Sequence, residues 1–148
     1  MCLLQEKYCN DWSQSVLSKP KLRTYVIFKD IYQPEPYVMS FMNRKRRSIL
    51  AQLRCGILPL QLEVGRWHNK DECDRLCLLC DDGEVENEKH FLLQCKYFND
   101  ERAILYQCMI DRVPNFVSLS DNDKLKLFMS KDHVQVFSKY LYTIYELR

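Results

Sequence analysis

The chain has 148 residues, 47% hydrophobic and 12% aromatic, enough apolar material for one domain with its own core and too much for a disordered tail. No run approaches the roughly 20 apolar residues of a membrane span, and Glu6 and Lys7 sit where a cleavable signal peptide needs its apolar stretch. The 22 basic and 20 acidic side chains leave a formal charge of only +2, which on its face argues against a nucleic-acid partner.

Three Gly and five Pro are the only strong punctuation, so helices joined by short connections are expected. Leu3 to Leu17 reads as a first helix, stopped before Pro20. Leu22 to Tyr32 is rich in β-branched and aromatic residues, and its periodicity fits helix or strand. Pro34 and Pro36 break the chain by biasing their predecessors away from helical angles. From Tyr37 a helical pattern resumes with Ile49, Leu50, Leu53 and Ile57 on one face, and Gly56 lies where a C-cap is expected. Pro59 to His68 reads as extended or loop, because Leu60, Leu62 and Val64 alternate with Gln61 and Glu63. Phe98 to Arg112 is read as a helix ended by Pro114, with Phe98, Leu105, Cys108 and Met109 toward the core. Ser120-Asp121-Asn122-Asp123 offers an N-cap and first-turn acids for a helix through Met129. Val134, Phe137, Leu141 and Ile144 mark the apolar stripe of a last helix, with Tyr140 and Tyr145 beside them.

The eight cysteines are not evenly used. Cys77 and Cys80, followed by His90 and Cys95, form a C-x2-C-x9-H-x4-C pattern. Two cysteines separated by two residues can turn both sulfurs inward across a tight turn, which Gly83 helps the chain to leave. A helix beginning near Asn87 brings His90 and Cys95 to one end, although a five-residue spacing is imperfect for one helix face. Three thiolates and one imidazole make a closed tetrahedral set suited to Zn²⁺, structural rather than catalytic because no position is left for water. Without a signal peptide, metal is the better reading than disulfides, and an intracellular location, nuclear or cytoplasmic, is expected. Cys73 and His68 are reserve donors of lower rank. Cys2, Cys9, Cys55 and Cys108 read as ordinary apolar positions. The expected fold is therefore mainly α, a small helical domain with a zinc-knuckle-like loop inserted between helices. Its stretches are a helical, basic region over 1–70, the metal-binding segment over 71–102 and C-terminal helices over 103–148, together one compact domain.

The small net charge conceals a split. Residues 43–70 carry seven basic side chains against Glu63, a local charge of +6, whereas residues 71–95 carry eight acids against Arg75 and Lys89, a local charge of −6. Arg44, Lys45, Arg46 and Arg47 wrap most of one helical turn and can present several cations to a phosphate backbone. Arg54 and Arg66 extend the basic set, and Trp67 beside Arg66 can stack on an unpaired base. The competing reading has the basic face paired with the acidic loop and Trp67 anchored in the core.

These segments together resemble the C-terminal tail of non-LTR (LINE-type) retrotransposon reverse transcriptases. The matching stretches are Arg47 to Gly56, Leu60 to Trp67, Arg75 to Cys80, Glu86 to Cys95 and Tyr97 to Arg102, with Leu17 to Tyr25 and Glu35 to Tyr37 similar to the region before them. The resemblance implies a tail that holds template RNA or target DNA near the polymerase, with Cys77, Cys80, His90 and Cys95 as zinc ligands. It implies no polymerase activity here. Asp81-Asp82 follows a cysteine assigned to metal, with no β-hairpin expected around it, and there is no Pro-Asp…(Asp/Glu)-x-Lys nuclease pattern. The expected function is a zinc-stabilised module that binds RNA or single-stranded DNA, not an enzyme. The alternative is a zinc-stabilised scaffold that docks on the polymerase portion of a parent polyprotein or on another partner.

Overall fold

A computed structural model describes residues 3–29 and 32–148 of the chain. Cys2 lies outside them. The fold is mainly α: α1 (Leu3–Leu17), α2 (Arg23–Phe28), α3 (Pro36–Met39), α4 (Arg44–Arg54), α5 (Gln61–Trp67), α6 (Asn99–Ile110), α7 (Asp121–Phe128) and α8 (Val134–Leu147). The 68–98 stretch holds only short turns and one antiparallel bridge, Leu76 to Val85.

The last helix organises the rest. In α8, Val134, Phe137, Leu141 and Ile144 are fully buried, as their 3-4-3 spacing predicts, and the helix touches α3, α4, α6 and α7. Phe137 stacks on Phe128 with centroids 5.0 Å apart, and the aromatic row continues through Phe116 to Tyr106. One buried cluster joins Leu50 and Leu53 of α4, Phe91 and Leu92 of the 68–98 stretch, and Leu105 and Phe137 from the C-terminal stretch. Ser120 caps α7 by accepting from the Asp123 amide at 3.2 Å, where a side-chain cap was expected.

Four sequence readings change. Leu22 to Tyr32, open between helix and strand, contains the helix α2. The helix expected to run on from Tyr37 is divided, because Ser40 turns extended and Asn43 starts a new helix by accepting from the Arg46 amide at 2.9 Å. Ile57 falls beyond the end of α4 and is 46% exposed rather than on its buried face. Pro59 to His68 is not extended: Gln61–Trp67 forms α5. Its first amides are satisfied from far along the chain, since Glu86 accepts from the Gln61 amide through its carboxylate at 2.7 Å and from the Leu62 amide through its carbonyl at 3.2 Å. That capping supplies what the local sequence lacks.

Gly56 ends α4 as anticipated. With φ at +62°, it allows the Ile57 amide to reach the Gln52 carbonyl and the Gly56 amide to reach that of Leu53, the paired closure of a Schellman motif. A Cβ at Gly56 would lie 2.8 Å from the Lys21 carbonyl oxygen. Gly56→Ala is therefore expected to cost more than the ~1 kcal/mol of a left-handed residue alone. Chemical denaturation should show the lower midpoint.

Candidate metal centre

Cys77 and Cys80 sit on a turn closed by a single rung. The Cys77 amide donates to the Glu84 carbonyl at 2.9 Å and the Glu86 amide to the Arg75 carbonyl at 3.0 Å, around the Leu76–Val85 bridge. Gly83 turns the chain back with φ at +68°. Asp81 and Asp82 thus lie in a minimal hairpin, where none was expected.

The second pair of donors comes from a wide helical turn. Asn87 starts it, accepting from the His90 amide at 2.8 Å through its side chain and from the Phe91 amide at 2.9 Å through its carbonyl. Residues His90–Gln94 then form a π-helical turn closed by the Cys95 amide on the His90 carbonyl at 2.7 Å. In a regular α-helix, residues five apart are rotated by about 140° from one another. The extra residue of the π turn absorbs that rotation, so the five-residue spacing brings His90 and Cys95 to one side.

The four donor atoms of Cys77, Cys80, His90 and Cys95 all lie within 4.8 Å of one another, a group that could hold a metal ion. The Cys77 and Cys95 sulfurs are 3.8 Å apart, and Cys80 Sγ is 3.3 Å from His90 Nε2. His90 is 1% exposed and Cys95 is equally buried, so the donors face an interior point. His90 Nδ1 is buried with no hydrogen-bond partner among the described residues.

Surrounding polar groups hold this geometry. Tyr140 of α8 donates its hydroxyl to the Leu92 carbonyl inside the π turn at 2.7 Å. Arg102 of α6 donates to the Cys95 carbonyl at 2.8 Å and to Asn99. Glu86, buried, receives Arg148 through two bonds of 2.8 Å, and Glu88 receives Arg23 at 2.6 and 3.2 Å. Asp82 pairs with Lys96. The sequence marks none of these residues as a support of the site; Tyr140 there only flanks an apolar stripe.

Electrostatics favour the neutral forms of Cys80, Cys95 and His90 until a cation arrives. Burial, joined by the neighbouring Cys77, pushes the Cys95 thiol up to about 12, and burial also raises Cys80. Burial holds His90 below the ordinary imidazole range despite the nearby acids Asp82, Glu86 and Glu84. The two raised thiols must therefore release protons when a metal binds, and acid also protonates His90 in competition with it. Metal affinity is expected to rise with pH between 6 and 8 by about three decades per unit, one for each thiol that becomes a thiolate ligand. Competition with a chromophoric chelator at several pH values measures this. A flat profile would contradict it.

The other candidate residues scatter. Cys73 and His68 are exposed and outside the donor group; Cys9, Cys55 and Cys108 are half-buried. Arg44, Lys45 and Arg47 are exposed and Arg46 half-buried. Arg46 donates to Ser138 at 3.3 Å, and Arg47 to the carbonyls of Ser40 and Met42. Arg66 pairs with Glu63 at 2.5 Å, and Trp67 is 63% exposed instead of anchored in the core. Arg54 does not join this surface. It is 3% exposed, paired with Glu35 at 2.9 Å and placed over the rings of Tyr25 and Tyr37.

No protein family, curated protein or solved structure matches this chain. Among the described residues, no helix is long and apolar enough to cross a membrane.

Proposed function

We propose that the chain is a zinc-stabilised nucleic-acid-binding module, of the kind its resemblance to a retrotransposon reverse-transcriptase tail implies, with Cys77, Cys80, His90 and Cys95 as the ligands. A tetrahedral zinc with sulfurs at about 2.3 Å has a sulfur–sulfur edge of about 3.8 Å, which is the Cys77–Cys95 separation. A Cys3His set fills all four positions, so the ion has a structural role and water has no place on it. Its chemistry is to gather the two arms of the 77–95 segment into the core.

The observation that carries the nucleic-acid reading is the first turn of α4. Arg44, Lys45, Arg46 and Arg47 make no ion pair with any described residue, whereas the acids Glu86, Glu88 and Asp82 of the next segment are taken by Arg148, Arg23 and Lys96. No acid occupies that turn of α4, so four cations crowd the positive end of a helix dipole, an arrangement an incoming anion relieves. Phosphates of RNA or single-stranded DNA are the proposed anions.

The test is the fourfold variant Arg44→Ala, Lys45→Ala, Arg46→Ala, Arg47→Ala, titrated with labelled single strands over a range of salt. The expected result is unchanged metal content and a salt slope, log K against log salt, shallower by up to about 3, at roughly 0.7 per lost phosphate contact. An unaltered slope would remove the basic turn from the account. The second reading, a scaffold that docks on a polymerase or another protein, is favoured by the exposed run Val38, Met39 and Phe41, the last fully exposed. Concentration-dependent self-association without nucleic-acid binding would favour it instead.

A further inference from the structure

The start of α4 does not stand alone. It lies along α8, joined by Arg46 to Ser138 and, just before the helix, by the Phe41 carbonyl to Gln135 at 2.7 Å. Farther along the same seam is an open groove of about 320 Å³. Arg44 and Lys45 form its basic wall, Tyr142 and Tyr145 its aromatic wall, Ile49 contributes apolar surface, and exposed Glu146 also lines it.

The two walls differ in a way that suits one kind of ligand. The side chains of Arg44 and Lys45 have no hydrogen bond or ion pair to any described residue, and Glu146 is the sole acid among the lining residues. Tyr142 and Tyr145 are half-buried and packed against the core, so each ring is held in place while part of it stays open. Fixed aromatic surface beside mobile cations is what a base and its phosphate require together. Duplex DNA or RNA keeps its bases stacked on each other and cannot offer one to a tyrosine.

We infer that the α4–α8 groove is a nucleotide subsite for single-stranded polynucleotide, with Arg44 and Lys45 on the phosphate and Tyr142 and Tyr145 against the unpaired base. The inference rests on the nucleic-acid reading above and goes beyond it, since that reading requires only backbone charge and names no base-contacting residue on α8. Charge complementarity selects the occupant: a docked protein helix would need acids facing Arg44 and Lys45 but apolar groups facing the tyrosines.

The experiment compares the full chain, loaded with zinc, on a single-stranded oligouridylate, an oligothymidylate and a duplex of equal length, by fluorescence anisotropy. Tyr145→Leu, alone and with Tyr142→Leu, should weaken single-strand binding by about tenfold or more. Duplex binding and the salt slope should stay within twofold of the parent values. Tyr145→Phe, which keeps the ring, should bind as the parent does. The RNA and DNA arms report which sugar the groove prefers, and either preference supports the subsite. Ultraviolet cross-linking of a 5-bromouridine strand to the unaltered chain gives a readout free of folding effects, with the adduct expected on Tyr142 or Tyr145. If the parent chain binds nucleic acid but the leucine variants keep full single-strand affinity and no adduct maps to α8, the groove is overturned and the basic turn survives. If the parent chain binds no strand at low salt, both fall.

Discussion

Cys95→Ser is expected to lose stoichiometric metal and to lower the thermal midpoint well beyond the range of an ordinary surface substitution. Zinc in small Cys/His sites contributes an apparent 10–16 kcal/mol at neutral pH, of which one lost ligand removes only part. The neighbours amplify the loss. Phe91, Leu92, Cys95 and Phe98 are all at most 1% exposed, and the Cys95 carbonyl and Leu92 carbonyl anchor Arg102 and Tyr140. Freeing the π turn therefore loosens α6 and α8 as well. A net loss of about 4 kcal/mol corresponds to roughly 8–16 °C in a domain of this size. Differential scanning calorimetry with parallel metal analysis checks it. Cys73→Ser, at an exposed cysteine outside the donor group, should change neither quantity.

The second large effect is at Glu35. Its carboxylate holds two buried cations, Arg54 at 2.9 Å and Lys29 at 2.5 Å, whose side chains are 3% and 7% exposed. Glu35→Ala leaves both without their counter-charge, and stranding a buried ion costs about 3–5 kcal/mol. Arg54→Met is the contrasting variant. It removes a guanidinium whose Nε and Nη2 have no hydrogen-bond partner among the described residues, fills similar space beside Tyr25 and Tyr37, and leaves Glu35 paired with Lys29. Replacing a buried charge by an apolar group of similar volume is far cheaper than stranding one. Urea denaturation should rank Glu35→Ala clearly below Arg54→Met. Equal losses would mean that the guanidinium itself, through its contacts on the two rings, stabilises this corner.

This contrast also marks where sequence reading stopped. Arg54 belonged to a basic cluster by position alone, and its burial depends on Glu35, Tyr25 and Tyr37 arriving from other elements. Helix α5 was hidden for a similar reason. Leu60, Leu62 and Val64 alternate like a strand, and the carboxylate that caps the helix belongs to Glu86, 25 residues on. The group of Cys77, Cys80, His90 and Cys95 was legible because close pairing and a histidine at ligand spacing encode the geometry locally. Even there, the five residues from His90 to Cys95 looked awkward until the π turn absorbed them. The stripe of α8 was equally local, since each turn repeats one buried face. Tertiary partners, such as Tyr140 on the Leu92 carbonyl, leave no mark in a single sequence, because a buried hydroxyl and a half-buried one are spelled alike.

In the proposed function, one zinc ion stabilises a module that binds nucleic acid through phosphate contacts. This is tested most directly in one preparation of the full chain, by elemental analysis for zinc and by the salt dependence of single-stranded RNA binding. The expected result is one zinc per chain and a linear fall of log K with log salt, steeper than about 0.7 because more than one phosphate is engaged. A chain equally stable with and without metal, or one that carries its zinc yet binds no strand at low salt, would contradict it.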